Sequence, residues 1–106
     1  MKKQPLVIIS QRIINEFAKE YPLAADPLNR WYKQVEMAGW RHFGDVKQTF
    51  NTADFIGNDR YVFDIGGNNY RLVAMIHFRK RRLYIRFIGT LKQYDHICKR
   101  GLIKNI

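Results

Sequence analysis

Across residues 60–90 the chain reads with a period of two, and no other feature narrows the fold as sharply. The stretches RYVFDI, NNYRLVAMIHFR and RLYIRFIG alternate apolar and polar side chains, the pattern of strands with one buried face. Only GGNN and KRR separate them, links short enough to be hairpin turns. Gly66, Gly67 and Asn68 are the residue types that tolerate positive φ in such a turn. The alternation predicts an inner face of Tyr70, Leu72, Ala74, Ile76 and Phe78 on the second strand, and of Leu83, Ile85 and Phe87 on the third. Arg71 and Arg86 then share the opposite face.

A half-buried sheet needs a covering layer, and the first part of the chain supplies helices for it. After a short apolar run at 6–9, Ser10 suits a helix N-cap, and Ile13, Ile14, Phe17, Ala18 and Tyr21 follow at helical spacing as far as Pro22. Asp26 followed by Pro27 predicts a second helix start, with Leu28, Trp31, Tyr32 and Val35 on one face and Gly39 as its stop. Residues 40–60 read as a loop with one short helix near Asp45, pinned by Trp40, Phe43, Phe50 and Phe55. The expected fold is α+β: two N-terminal helices on a mostly antiparallel sheet of about four strands, with a short C-terminal helix after Gly89 and Thr90. At 106 residues a single domain spanning 1–106 can bury a core without staples. A lone cysteine, Cys98, excludes an internal disulfide. With neither a signal peptide nor a long apolar run, the reading is a soluble, cytoplasmic protein with no membrane partner.

Charge narrows the function. Residues 1–68 carry 9 basic and 8 acidic side chains, whereas residues 69–106 carry 10 basic and 1 acidic, so nearly all of the +10 lies in the last third. A surface of that sign meets a polyanion. The long basic segment reads as strands rather than as a recognition helix, which disfavours a DNA-binding regulator. Three histidines, one cysteine and scattered acids show no ligand spacing, so no metal is expected, and GGNN opens no helix that would cradle a phosphate.

What remains is a cationic sheet face with a tyrosine and a histidine just beyond it. That suits either passive binding of a phosphate backbone or metal-free RNA cleavage, in which a base takes the 2′-OH proton and a cation stabilises the phosphorane-like transition state. Arg71 and Arg86 suit the cation's role, since a guanidinium stays charged and matches phosphate oxygens in pairs; a structural salt bridge is the plainer alternative. Tyr94, at the strand-to-helix junction, either holds a phosphate or base or anchors the core edge. His77 faces the arginines as a proton carrier or a hydrogen-bonded bystander. Arg79, Lys80, Arg81 and Arg82 form a hairpin tip that is an electrostatic lure or a solvated turn. Thr90 and Asp95 read as helix caps.

The stretch NDRYVFDIGGNNYRLVAMIHFRKRRLYIRFIGTLKQYD resembles the C-terminal half of HigB toxins of the RelE-like superfamily, whose motifs read close to V-F-[DN]-I-G-G-N-x-Y-R-L and G-T-H-x-x-Y-D. The short first strand, the capped helix before Pro22 and PLNRWYKQV are also similar to this family. The resemblance implies a toxin that cuts mRNA on translating ribosomes, without a cofactor, in contact with rRNA, and restrained by a HigA-type helix-turn-helix antitoxin. Carried over by position, it implies active-surface roles for Asn68, Arg71, Arg86 and Tyr94, while Lys92 and His96 are read separately as RNA or ribosome contacts. Where the family has histidine after Gly-Thr, this chain has Leu91, which can neither accept nor donate a proton. Tyr94, His96, His77 and Lys92 are the candidate substitutes, and a non-catalytic ribosome- or RNA-binding homologue is the competing reading.

Overall fold

A computed structural model describes residues 5–106, the side chain of Lys104 apart. The chain runs β1 (Val7–Ile9), α1 (Gln11–Glu20), a 3₁₀ turn (Pro22–Ala24), α2 (Ala25–Ala38), α3 (Phe43–Thr49), β2 (Asp54–Gly57), β3 (Arg60–Ile65), β4 (Tyr70–His77), β5 (Arg82–Thr90), α4 (Leu91–Lys99) and a last 3₁₀ turn (Ile103–Asn105). The five strands form one sheet in the order β1-β5-β4-β3-β2. Among the described residues only the β1–β5 pair is parallel.

The helices start and stop where their sequences dictate, with one shift. The Ser10 hydroxyl accepts from the Arg12 N–H at 3.2 Å and opens α1. Gly39 closes α2 in the left-handed region at φ 61°. α2, however, begins at Ala25 rather than after Asp26, because the 3₁₀ turn at Pro22–Ala24 already winds the chain into it; Asp26 sits in its first turn. Against the sequence expectation of about four strands, the described residues form five: Asp54–Gly57, read as loop, pairs with β3 as an edge strand. Four residues are too few to display a period.

The core lies between the inner sheet face and α1–α3. Leu72, Ala74 and Ile76 of β4 enter it as expected, and Tyr70 and Phe78 pack at its border. Phe63 sits at its centre, stacked nearly parallel on Trp40 (5.9 Å, 6°) and edge-on to Trp31 (5.4 Å) and Phe50 (5.6 Å). Each of these side chains contributes roughly 1.5–3 kcal/mol by leaving water. The Trp40 indole N–H donates to Thr49 Oγ1 at 2.9 Å, so its polar edge is satisfied.

In β5 the expected inner face fails halfway. The ladder pairs Ala74 with Ile85 and Val73 with Phe87, which leaves Arg86 as the extra residue of a β-bulge. Beyond the bulge the alternation is reset: Ile88, not Phe87, joins Leu83 and Ile85 in the core. Val62 and Val73, paired across β3 and β4, are buried outside the main core cluster, on the outer face where α4 packs against β4 and β5. No described helix is long and apolar enough to cross a membrane.

Candidate active site

One end of the sheet gathers the turn at 66–69, the end of β5 and the start of α4. Gly66 and Gly67 both adopt positive φ (62° and 68°), as the β3–β4 turn requires. The Leu91 N–H donates to Asn69 O at 3.1 Å and ties that turn to the first residue of α4. Thr90 caps the helix reciprocally: its Oγ1 accepts from the Gln93 N–H (3.1 Å), while Gln93 Oε1 accepts from the Thr90 N–H (2.8 Å). Asp95, expected as a second cap, instead lies inside α4 and takes no part in the capping box.

Arg71 is the most firmly held side chain at this end. Its side chain is 12% exposed, and its Nε donates to Asp64 Oδ1 at 3.1 Å, the residue directly across the β3–β4 ladder. Nη1 donates to Tyr70 O at 3.0 Å and Nη2 to the side-chain oxygen of Asn68. The structural salt bridge weighed from the sequence therefore exists, and it fixes the guanidinium while leaving an N–H on each terminal nitrogen for a further acceptor. A fixed cation of this kind needs no reorganisation when negative charge develops beside it.

Tyr94, in α4, stands within electrostatic reach of Arg71 and Asp54. Burial pushes its phenol above the ordinary tyrosine value, a side-chain hydrogen bond with Cys98 adds to the shift, and the Arg71 charge opposes it. The phenol is thus neutral at physiological pH, able to donate a hydrogen bond or a proton but not to act as a base. Arg86, the bulge residue, is exposed and, among the described residues, without an ion-pair or hydrogen-bond partner. Arg71 itself pairs with Gly89, three residues farther along β5 than Arg86. Leu91, Lys92, Asp95, His96 and Lys99 line an open cavity on α4, so Lys92 and His96 border the same end.

The remaining sequence candidates are elsewhere. His77 shares the outer face but ends β4, six residues from Arg71, or about 20 Å at strand rise. Its Nδ1 lies 3.9 Å from Asp59 Oδ2. Arg79 and Lys80 project from the hairpin tip, and Arg82 begins β5, all exposed. Arg81 differs from them. At φ 59° it turns inward, and its Nη1 donates to Trp40 O (2.5 Å) and Phe78 O (3.1 Å), so its guanidinium binds the hairpin to the α2–α3 connection.

The candidates thus divide into a fixed cluster of Asn68, Arg71 and Tyr94 and a distant basic tip, with Arg86 between them. Sequence reading missed Asp64 and Cys98. A four-residue turn at 66–69 would have placed Asp64 opposite Arg71, and the i, i+4 spacing would have placed Cys98 beside Tyr94. Among the described residues no group of three or more His, Cys, Asp or Glu could hold a metal ion.

A helix-covered mixed sheet with a fixed arginine at one end and a neutral tyrosine on the helix that follows it fits the RelE-like class. A family profile described as HigB toxin, the RelE-like toxic component of a toxin–antitoxin system, matches residues 24–97. The chain is 30% identical over 94 residues to the mRNA interferase HigB of Escherichia coli O6:H1, covering 87% of this chain and 91% of that protein. It is also 30% identical over 90 residues to the mRNA interferase toxin HigB of Escherichia coli K12, covering 83% and 86%. The chain belongs to the HigB toxin family.

Proposed function

We propose that this protein is an endoribonuclease that inhibits translation by cutting mRNA on translating ribosomes in the cytoplasm. It works without a metal or organic cofactor, and a HigA-type helix-turn-helix antitoxin restrains it. The observation that carries the reading is Arg71, a guanidinium held by Asp64 and Asn68 on the cationic face of a chain that is 30% identical to named mRNA interferases.

Arg71, joined by Arg86, binds the scissile phosphate and offsets the charge that grows on its oxygens. The ribose 2′ oxygen loses its proton and attacks the adjacent phosphorus; the bond from phosphorus to the 5′ oxygen breaks, and that oxygen takes up a proton. The neutral Tyr94 phenol orients the phosphate or donates that proton. Leu91 cannot serve, so the base is His96, Lys92 or a group of the ribosome. Loss of one such residue is worth about 10²- to 10⁴-fold, which a site built on charge survives. Arg79, Lys80, Arg82 and Lys92, with the anchored Arg81, draw in rRNA and mRNA with little sequence preference.

Product ends test this chemistry. RNA cut on programmed ribosomes should carry a 2′,3′-cyclic phosphate and a 5′-hydroxyl. Ends bearing a 5′-phosphate would contradict it, and retention on the ribosome without cutting would favour the non-catalytic binder.

A further inference from the structure

The outer sheet face below Arg71 carries a second arrangement. Ile9 pairs with Tyr84 and Tyr84 with Met75; one row on, Val7 pairs with Arg82 and Arg82 with His77. Cross-strand partners share a face, so Tyr84 and His77 stand on the side away from the helical layer formed by α1–α3. Their rings meet edge to face, 6.0 Å apart at 80°. That contact fixes the plane of the phenol ring, and no other described aromatic ring packs on it. Beside it Val7 is 58% exposed and Ile9 37%, an apolar floor that no described element covers. Arg82 and Arg86, both exposed, flank Tyr84 along β5.

A half-buried aromatic ring on an open sheet face between two arginines is poorly suited to water and well suited to one ligand class. Single-stranded nucleic acid offers a flat apolar base and a charged phosphate at each step, so it is complementary to both components. The surrounding charge favours it further: residues 69–106 have one acidic side chain against ten basic.

We infer that Tyr84, held by His77, is a stacking platform for a nucleobase of single-stranded RNA, with Arg82 and Arg86 gripping the adjoining phosphates. The inference rests on the reading of this chain as an RNA-cutting toxin and adds a subsite that leads along β5 toward Arg71. The platform sets where the strand lies; it takes no part in bond breaking.

The test uses the full chain and a short 2′-O-methyl oligonucleotide containing 2-aminopurine, which attack by a 2′-OH cannot cut. Wild type should quench the 2-aminopurine on binding. Tyr84→Leu should abolish the quench and weaken binding about 5- to 150-fold, the range for one lost base stack. Tyr84→Trp should restore both. The platform is overturned if wild type gives no quench, if Tyr84→Leu binds and quenches like wild type, or if Tyr84→Trp fails to restore. It is also overturned if Tyr84→Leu loses only its neutralisation by the antitoxin, since the patch would then be a protein contact. Cutting of mRNA on programmed ribosomes is scored separately: its absence in wild type sinks the nuclease reading and leaves the quenching result standing.

Discussion

Arg71 has a definite direction because of Asp64. A guanidinium 12% exposed has little water to solvate it, and the facing carboxylate supplies the compensating charge at 3.1 Å. Asp64→Ala should therefore lower stability by about 1–3 kcal/mol in urea titrations, the cost of a buried polar group losing its partner, and Asp64→Asn by less. Tyr94 gives a pH signature. Its folded pKa is raised above the ordinary 10.0, so the proton is bound more tightly in the native state, and stability is lost as pH rises above 10. Tyr94→Phe should flatten the fall in the denaturation midpoint above pH 10 while leaving the midpoint at pH 7 nearly unchanged. The Asp64–Arg71 pair went unread although the length of the 66–69 turn alone sets it. The setting of Tyr94 was not legible: Asp54 reaches it from an edge strand forty residues earlier in the chain, which no local pattern records.

At the scale of elements, the bulge at Arg86 and the junction at Gly89 decide what the site looks like. Period-two reading assigns every residue of β5 to a face only while the ladder is regular, so it was right for Leu83 and Ile85 and wrong for Phe87 and Ile88. Nothing in IRFIG marks the extra residue; the bulge follows from fitting Ile88 into the core. Thr90 was legible as a cap because Gln93 completes a capping box within the local sequence, whereas Asp95 has no free N–H of the first turn to serve. Gly89 tests the junction. A Cβ there would lie 2.4 Å from Phe87 Cζ and 2.9 Å from the capping Gln93 Oε1. Gly89→Ala should cost about 1–3 kcal/mol by overpacking, read as a lowered midpoint, and should cut mRNA more slowly because α4 and Tyr94 shift with the cap.

Across the whole molecule the division of labour follows the charge. The nearly neutral first two-thirds supplies α1–α3 and strands β1–β3, and the last third supplies β4, β5, α4 and the basic surface. That surface is spread over two regions of the sheet, so most of its affinity should come from counterion release and depend steeply on salt. Replacing Arg79, Lys80 and Arg82 together with alanine should lower the slope of log affinity for single-stranded RNA against log salt by about 2, as measured by fluorescence anisotropy. An unchanged slope would place the RNA elsewhere.

In the proposed mechanism the fixed guanidinium of Arg71 stabilises the transition state of mRNA cleavage. The direct measurement is the single-turnover cutting rate on programmed ribosomes for wild type and Arg71→Ala, with ribosome binding followed in parallel. Arg71→Ala should cut about 10²- to 10³-fold more slowly, with at most a modest loss of ribosome binding. An Arg71→Ala protein that cuts at the wild-type rate would contradict that mechanism.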